Sequence, residues 1–288
     1  MLDIKNLQRK IDGVTIIKAI TAQVKAGDVV ALLGKNGAGK TTLLETLLGF
    51  AFPSYGLVTL WTENATDIDE KIKDKIGFVP QQNELLLGTT VQAHLNLFKS
   101  FRKNWDQALV DRLVIDWLIP LDATVGKLSL GQQQKLSILL ALAHKPELLV
   151  LDEPVASLDP IARRQFIQQL IEVASDSGNA IIFSSHIVSD MERIANQVWM
   201  LNNGELIYQG GLDELKESVV RVTFSSHENI PHSFGYPNII SQRINGKHAT
   251  IIFNHWNPEV KLQIEKSFNS VVQVEYLSLE DIFLEMNA

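Results

Sequence analysis

The fold of this chain is decided by the stretch GKNGAGKTT, which runs from Gly34 to Thr42. It fits the pattern G-x-x-x-x-G-K-[ST], a glycine-rich turn that joins a strand to a helix and binds nucleotide phosphates. Its three glycines allow the backbone to turn tightly and to aim successive N–H groups into a concavity. Lys40 supplies positive charge for the β- and γ-phosphates, and the Thr41 hydroxyl is a ligand for Mg²⁺. The stretch therefore predicts a phosphate-binding loop.

The residues on either side of the loop have the pattern that such a loop requires. Val29–Leu33 is an uninterrupted apolar run suited to a buried strand, and Thr41–Leu48 is typical of a helix that ends at Gly49. The loop then lies at a helix N-terminus, where free N–H groups and the helix dipole both favour an anion. The predicted nucleotide-binding residues of the loop are Gly34, Asn36, Gly37, Ala38, Gly39, Lys40, Thr41 and Thr42.

Composition limits the classes of partner. The chain has 288 residues, 45% of them hydrophobic, which suffices for one large domain and a small one. Lys and Arg number 26 against 33 Asp and Glu, and the resulting net charge of -7 argues against a nucleic-acid partner. The absence of cysteine excludes disulfides, a thiolate nucleophile and cysteine-ligated metals. No secretory signal is visible and no apolar run approaches the about 20 residues of a membrane-spanning helix, so we expect a soluble chain.

The order of apolar runs predicts two kinds of sheet. Leu2–Lys10 and Thr15–Val24 flank the turn signal Asp12-Gly13 and predict an antiparallel hairpin. Residues 90 to 144 are typical of an all-helical insertion. Further buried strands alternate with helices, which predicts a parallel sheet. These strands are Ile76–Val79, Leu148–Leu151 and Ala180–Phe183.

Composition changes after Glu217, and the remaining residues predict a small appended β/α domain. Helices are predicted to begin at Asn257-Pro258 and at Ser278, where Ser278 and Asp281 approximate a capping box. The predicted strands are Val220–Phe224, Ala249–Phe253 and Val271–Tyr276.

Two acidic residues, Asp152 and Glu153, follow the predicted strand Leu148–Leu151. The carboxyl end of a strand is where ligands bind in open α/β sheets. Asp152 is suited to hold Mg²⁺ through water, and Glu153 is placed to polarise an attacking water as a general base. The phosphate loop alone is compatible with kinases, GTPases and ATPases, and this acidic pair narrows the range of these enzyme classes.

The segment Leu128-Ser129-Leu130-Gly131-Gln132, at the start of a predicted helix, resembles the signature sequence of the ATP-binding subunits of ABC transporters. The match extends over residues 1 to 215, and its motifs follow the family's order. The resemblance implies an α/β fold in which a P-loop NTPase parallel-sheet core carries an antiparallel β subdomain and a helical subdomain. We expect residues 1–217 to form this ATPase domain, with its helical subdomain at about 83–144, and residues 218–288 to form the small C-terminal domain.

The resemblance also assigns roles to individual residues. It implies that Gln81 senses Mg²⁺ and the γ-phosphate, that Asp159 lies in a loop crossing a dimer interface, and that His186 contacts the γ-phosphate. Ser129 and Gly131 are expected to close over the ATP bound by a facing subunit. The expected catalytic residues are then Glu153, His186 and Gln81, and the expected Mg²⁺ ligands are Thr41, Gln81 and Asp152.

Two positions depart from the family pattern. Leu130 occupies a place often held by glycine, although Ser129 and Gly131 beside it remain. No aromatic residue occurs between Met1 and Gly34, where family members commonly stack one on adenine. We therefore expect Ile11 or Val14 to cover the base.

The resemblance implies an ATP- and Mg²⁺-dependent transport ATPase working as a head-to-tail homodimer, or paired with a second ATPase subunit. Its expected place is cytoplasmic, on the inner face of the cell membrane, bound to an integral membrane transporter subunit. The stretch Leu277–Met286 is similar to the tail of bacterial export ATPases. An importer ATPase remains an alternative, since only this tail argues against it. A soluble ABC ATPase acting on ribosomes or DNA is less favoured, because such proteins usually carry two cassettes, long coiled coils or cysteine-ligated zinc.

Overall fold

A computed structural model describes residues 1–176 and 178–287. The chain forms two compact units, Met1–Gln209 and Gly210–Ala288. The sequence-based boundary lies further along the chain, between residues 217 and 218, and the domain assignment stays a prediction. Within the described residues, no helix is both long enough and apolar enough to span a lipid bilayer.

The first unit alternates strands and helices. Its helices are α1 (Lys40–Leu47), α2 (Glu70–Lys73), α3 (Val91–Ser100), α4 (Gln107–Asp116), α5 (Leu130–Leu142), α6 (Pro160–Ala174) and α7 (Val188–Glu192). Its strands are β1 (Leu2–Ile11), β2 (Val14–Val24), β3 (Val29–Leu33), β4 (Tyr55–Leu60), β5 (Glu63–Asn64), β6 (Ile76–Val79), β7 (Leu148–Leu151), β8 (Ala180–Ser184), β9 (Gln197–Asn202) and β10 (Glu205–Gly211).

The predicted hairpin is confirmed. Strands β1 and β2 pair antiparallel from Leu2 opposite Val24 to Ile11 opposite Val14. The turn between them consists of Asp12 and Gly13, both with positive φ, as a two-residue hairpin turn requires. This hairpin belongs to a four-stranded sheet with the order β2-β1-β4-β5.

The predicted parallel sheet is also confirmed: in a six-stranded sheet of the order β10-β9-β3-β8-β7-β6, the five strands from β9 to β6 are parallel. Strand β3 lies between β8 and β9 and is parallel to both, and every residue of β3 is buried. Strand β7 is parallel to β8 and to β6. Since parallel strands end at the same edge of a sheet, the residues that follow β3, β6, β7 and β8 meet there.

Helix α1 anchors this edge to the core. Leu43, Leu44 and Leu47 are buried, and each buried leucine side chain contributes about 1.5–3 kcal/mol to the stability of the fold.

Residues 90 to 144 contain α3, α4 and α5, and hydroxyl or carboxylate side chains cap all three at their N-termini. The predicted helical character of this segment is thus confirmed.

The second unit is an antiparallel sheet with helices. Its elements are α8 (Leu212–Ser218), β11 (Val220–Ser225), β12 (Ile239–Asn245), β13 (His248–Phe253), α9 (Pro258–Phe268), β14 (Gln273–Tyr276) and α10 (Leu279–Met286). The strands have the order β12-β13-β11-β14. An aromatic cluster fills part of its core, in which Phe224 lies 5.2 Å from Phe268 and 5.9 Å from Phe234 between ring centroids.

Two details of this unit differ from the prediction. Strand β12 was not predicted, because its polar residues Ser241 to Arg243 interrupt the apolar pattern. Strand β14 begins at Gln273 rather than at Val271, which is 82% exposed. The helix start at Ser278 is confirmed, since the Ser278 hydroxyl accepts the Asp281 N–H at 3.1 Å.

Candidate nucleotide-binding site

The phosphate loop joins β3 to α1, as predicted. Gly39 precedes α1 with a φ of 104°, and a Cβ at this position would lie 3.0 Å from Ile17 Cδ1. A Cβ at Gly34 would lie 2.7 Å from the Leu201 carbonyl oxygen. Gly37 has a φ of 80° and open space around it. The loop therefore depends on glycine for its backbone conformation and for its close approach to neighbouring chain.

Lys40 lies inside this loop. Its side chain is 9% exposed, and its Nζ donates to the Gly34 carbonyl at 2.8 Å across the loop. The same Nζ lies 3.9 Å from Glu153 Oε1. A positive charge among aligned backbone N–H groups is suited to bind a phosphate.

Asp152 is held by two hydroxyl groups. Thr41 Oγ1 donates to Asp152 Oδ2 at 2.6 Å, and Ser184 Oγ donates to Asp152 Oδ1 at 2.6 Å. Asp152 is 1% exposed. The structure thus brings together Thr41 and Asp152, two of the predicted metal ligands, from α1 and the end of β7.

Glu153 and His186 are also brought together. Glu153 Oε2 accepts the backbone N–H of His186 at 3.1 Å and lies 2.8 Å from His186 Nδ1. Glu153 is 8% exposed and has a φ of 50°, a left-handed conformation that costs a non-glycine residue about 1–2 kcal/mol. Such local strain concentrates at functional sites.

Ser184 is a site residue that sequence reasoning missed. Besides binding Asp152, its Oγ accepts the backbone N–H of Glu153 at 2.9 Å, so one hydroxyl fixes both acidic residues. Its side chain is fully buried. The available signal was a serine at the end of a buried strand predicted to neighbour the strand that ends in Asp-Glu.

Gln81 lies two residues beyond β6 and is exposed. The end of β6 is beside the acidic pair, since Asp152 N–H donates to the Val79 carbonyl at 2.9 Å. Within the described part of the chain, the Gln81 side chain forms no hydrogen bond to Thr41 or Asp152. The predicted metal ligands are therefore only partly assembled.

Ser129, Leu130, Gly131 and Asp159 form a second group, which we call the signature face. Ser129 begins α5 in a capping box, in which its Oγ accepts the Gln132 N–H at 3.3 Å and its N–H donates to Gln132 Oε1 at 3.0 Å. Ser129 is exposed, and Leu130 is 71% exposed. A Cβ on Gly131 would lie 2.9 Å from the Ser157 carbonyl, which shows that α5 begins against the loop carrying Asp159.

Asp159 begins α6. Its carboxylate accepts the N–H groups of Ile161 and Ala162, each at 2.9 Å. The hydrogen bond from Ala162 is the main cause that holds the pKa of Asp159 below its usual value, followed by that from Ile161. Asp159 therefore stays ionised near neutral pH. No hydrogen bond or ion pair joins the signature face to the phosphate loop within the described residues.

The hairpin β1–β2 borders the phosphate loop. Ile16 Cγ2 and Ile17 Cδ1 face Gly39, and the Ala38 carbonyl accepts the Gly204 N–H at 3.1 Å. Farther along the hairpin, Val14 is 61% exposed and its cross-strand partner Ile11 is 42% exposed. The exposed apolar surface at this end of the hairpin is aliphatic.

The site offers oxygen donors for a cation. No group of three or more His, Cys, Asp or Glu side chains able to hold a metal occurs among the described residues. A hydroxyl and a carboxylate beside a phosphate loop suit Mg²⁺, which takes one or two protein oxygens and completes its shell with water and phosphate. The Thr41–Asp152 pair fits this requirement.

Comparisons with known proteins agree with this geometry. Residues 17–156 match the family model described as ABC transporter. The chain is 25% identical to the ABC transporter ATP-binding protein YtrB of Bacillus subtilis (strain 168), over 99% of this chain and 97% of that protein.

Two further relatives carry names that describe transport. One is the bacitracin transport ATP-binding protein BcrA of Enterococcus faecalis, 30% identical over 75% of this chain and 70% of that protein. The other is the Nod factor export ATP-binding protein I of Burkholderia orbicola (strain AU 1054), 31% identical over 76% of this chain and 73% of that protein. A solved structure described as the ATP binding subunit of an ABC transporter matches with a TM-score of 0.69 and 27% identity, over 75% of this chain and 92% of that one.

Proposed function

The chain belongs to the ABC transporter ATP-binding proteins, a family of ATP hydrolases, and from this premise we propose that it drives substrate export through a separate integral membrane subunit. The observation that carries the proposal is the position of Glu153. This carboxylate lies at the end of β7 between Lys40 and His186, with its backbone fixed by Ser184. A buried carboxylate beside a phosphate loop is suited to act as a general base.

ATP binding uses the loop between β3 and α1. The backbone N–H groups and the ammonium of Lys40 bind the β- and γ-phosphates. A phosphate oxygen then replaces the Gly34 carbonyl as the acceptor for the Lys40 ammonium. Thr41, together with Asp152 through water, would hold Mg²⁺, which would supply positive charge to the phosphates. Gln81, which is exposed two residues beyond β6, is the third group proposed to reach this ion.

Hydrolysis follows from the placement of Glu153. Its carboxylate accepts a proton from water as the water oxygen forms a bond to the γ-phosphorus. The bond between that phosphorus and the β–γ bridging oxygen breaks, which yields ADP and inorganic phosphate. His186, half-exposed and 2.8 Å from Glu153, orients this carboxylate and contacts the γ-phosphate.

We assign the signature face to the nucleotide-binding site of a second subunit, where it would contact the ATP bound there. Among the residues that the structure describes, no hydrogen bond or ion pair joins this face to the phosphate loop of its own chain, and Ser129 and Leu130 are exposed. A head-to-tail homodimer, or a pair with a second ATPase subunit, places this face against the γ-phosphate of the facing loop. ATP then binds the closed pair better than the open one, and its hydrolysis releases the subunits.

One relative supports export by its name, which describes Nod factor export, and the name of another describes bacitracin transport. The tail Leu277–Met286, similar to that of export ATPases, agrees with this direction. The proposed place of the chain is the cytoplasmic face of the membrane, bound to its membrane subunit.

Replacement of Glu153 by Gln tests the enzymatic part of the proposal. The amide keeps the size and a hydrogen-bonding oxygen but cannot accept the proton, so E153Q should bind ATP with unchanged affinity and hydrolyse it at least about 100-fold more slowly. ATP should then hold E153Q as a dimer, measured by light scattering after size exclusion with Mg²⁺ and ATP. Rapid hydrolysis by E153Q would remove Glu153 from its role.

The same variant tests the partner. Tagged E153Q, loaded with ATP and purified from detergent-solubilised membranes, should retain an integral membrane protein. Reconstitution of that pair in vesicles, with wild-type chain, gives the direction of transport. Recovery of ribosomes without a membrane protein would contradict the transport proposal, and uptake toward the ATPase side would replace export by import.

A further inference from the structure

An ion pair joins two helices that each follow a site residue. Arg163 lies in α6, one turn after Asp159, and its backbone N–H donates to the Asp159 carbonyl at 2.9 Å. Asp190 lies in α7, four residues after His186. The Nε–H of Arg163 donates to Asp190 Oδ2. The pair thus connects the loop of the signature face with the loop that carries His186.

The ion pair is largely buried, so the position of one side chain depends on the position of the other. Asp190 is 7% exposed, and Arg163 is the partner of its buried carboxylate. A buried carboxylate without a partner is strongly disfavoured, so the position of Asp190 follows that of Arg163.

Helix α7 has little stability of its own. It contains five residues, and its N-cap Ile187 provides no side-chain hydrogen bond. Isolated helices of this length do not persist, so contacts with the rest of the fold set its orientation. Val188 and Met191 supply apolar burial, and the Arg163 bond is the directional contact from α6.

We propose that Arg163 and Asp190 are a positioning pair that holds His186 beside Glu153 and links this arrangement to Asp159. The proposal rests on the function proposed above. The chain of contacts runs from Asp159 through one turn of α6 to Arg163, across to Asp190 and along α7 to His186. If the Asp159 loop moves against a second subunit, these contacts therefore also move His186, which orients the general base Glu153.

Replacement of Arg163 by Ala or Asp190 by Asn tests this role. Each change should lower kcat roughly tenfold while KM for ATP stays within about twofold, because misplacement of a catalytic group slows chemistry more than it weakens binding. Arg163→Lys, which keeps the charge but lacks the Nε–H geometry, should restore part of the rate. The double variant should be no slower than the slower single variant, since both changes break one contact.

The chain offers a control in a second ion pair that involves α6. Arg112 of α4 binds Glu172, near the other end of α6, at 3.0 Å, and both side chains are about half exposed. Arg112→Ala should leave kcat unchanged. A similar loss of kcat in Arg112→Ala, or equal kcat in wild type and Arg163→Ala, would overturn the positioning role.

A second readout does not depend on turnover. In protein labelled with ¹⁵N-histidine, the imidazole signals of His186 are assigned by their absence in His186→Gln. These signals should move in Arg163→Lys and in Asp190→Asn, and should stay in place in Arg112→Ala. If the His186 signals stay in place in both variants, the positioning role is overturned, whether or not the wild-type protein hydrolyses ATP. If the signals move but the wild-type protein does not hydrolyse ATP, the result counts against the proposed function alone.

Discussion

Two residues of opposite charge, Lys40 at the start of α1 and Glu153 just after β7, are buried side by side. Lys40 Nζ and Glu153 Oε1 lie 3.9 Å apart, and both side chains are less than a tenth exposed. Lys and Glu are almost never buried unless they are paired, because removing a charge from water is costly. Here Lys40 also binds a backbone carbonyl and Glu153 also binds His186. In the proposed function, this buried charge pair is where the phosphate and the attacking water bind.

The residues at the tip of the β1–β2 hairpin give a prediction about the base. Val14 is 61% exposed and lies two residues, about 7 Å along the strand, from Ile16 beside Gly39. Val14→Tyr should place an aromatic ring against adenine. Base–aromatic stacking contributes about 1–3 kcal/mol, so the Kd for ATP should fall about tenfold, measured by calorimetry with the Glu153→Gln background to prevent hydrolysis.

Val14→Leu is the control for this prediction, because it enlarges the apolar surface without a ring. We expect Val14→Leu to change the Kd by less than about twofold and Val14→Tyr to tighten GTP as well, since stacking tolerates any base. An unchanged Kd in Val14→Tyr would show that the base binds away from this hairpin end.

At the scale of elements, helix α5 uses Ser129 for two purposes. The serine caps the helix, and its exposed hydroxyl belongs to the signature face. Ser129→Asp separates these purposes, because aspartate is a good N-cap but brings negative charge toward a facing γ-phosphate. The free energy of unfolding should stay near that of wild type, while ATP hydrolysis should fall about 100-fold through like-charge repulsion. Urea denaturation and a phosphate-release assay measure the two effects.

Two variants complete this comparison. Ser129→Ala removes the cap and should cost about 1 kcal/mol of stability. Thr90→Asp makes the corresponding change at the N-cap of α3, where Thr90 Oγ1 accepts the Ala93 N–H at 3.2 Å, and should leave hydrolysis unaffected. If Ser129→Asp hydrolyses ATP at the wild-type rate, the signature face has no part in closing the site.

Elements with local signals could be predicted from the sequence. The hairpin at Asp12-Gly13, the buried strand β3 and the helix after Lys40 follow from turn residues and apolar runs. Strand β12 was missed because four of its seven residues are polar, although it pairs with β13 across a short local loop. Ser184 and the Arg163–Asp190 pair could not be predicted, since their partners lie far away in sequence.

At the scale of the whole first unit, the site exists only when the sheet is complete. The site residues come from three strands and the segments after them: Thr41 lies in α1 after β3, Asp152 follows β7, Ser184 ends β8 and His186 follows β8. The order of the strands in the sheet brings them together. Local unfolding of β7 or β8 therefore removes the acidic pair and its hydroxyl partners at once. Binding of ATP to the folded state should accordingly stabilise the unit as a whole.

The stability of this unit should also depend on pH through a buried histidine. His144 is 1% exposed, its Nε2 lies 3.0 Å from the Ile76 carbonyl, and its Nδ1 has no partner within the described residues. Burial lowers the pKa of His144, and the charge of Arg102 lowers it further. Burial also lowers the pKa of His94. The folded state therefore excludes protons that the unfolded state binds.

The sign follows from this difference in proton binding. The unfolded imidazole has a pKa of about 6.5, so the stabilising contribution is present above that value and is lost as pH falls through it toward the lower folded pKa. His144→Gln keeps a donor for the Ile76 carbonyl and cannot titrate. Its free energy of unfolding should therefore decrease less than that of wild type between about pH 7.5 and 5.5, by up to about 1.4 kcal/mol per pH unit.

Urea denaturation at several pH values measures this slope. In a Trp256→Phe background the remaining tryptophans lie in the first unit, so fluorescence reports that unit alone. Exposed His232→Gln serves as the control, since it lies in the second unit and should leave the slope as in wild type. Equal slopes in wild type and His144→Gln would mean that His144 takes up a proton as readily in the folded as in the unfolded chain. Acid sensitivity would then come from carboxylates such as Asp106 and Asp159, whose lowered pKa values place their loss of stability at lower pH.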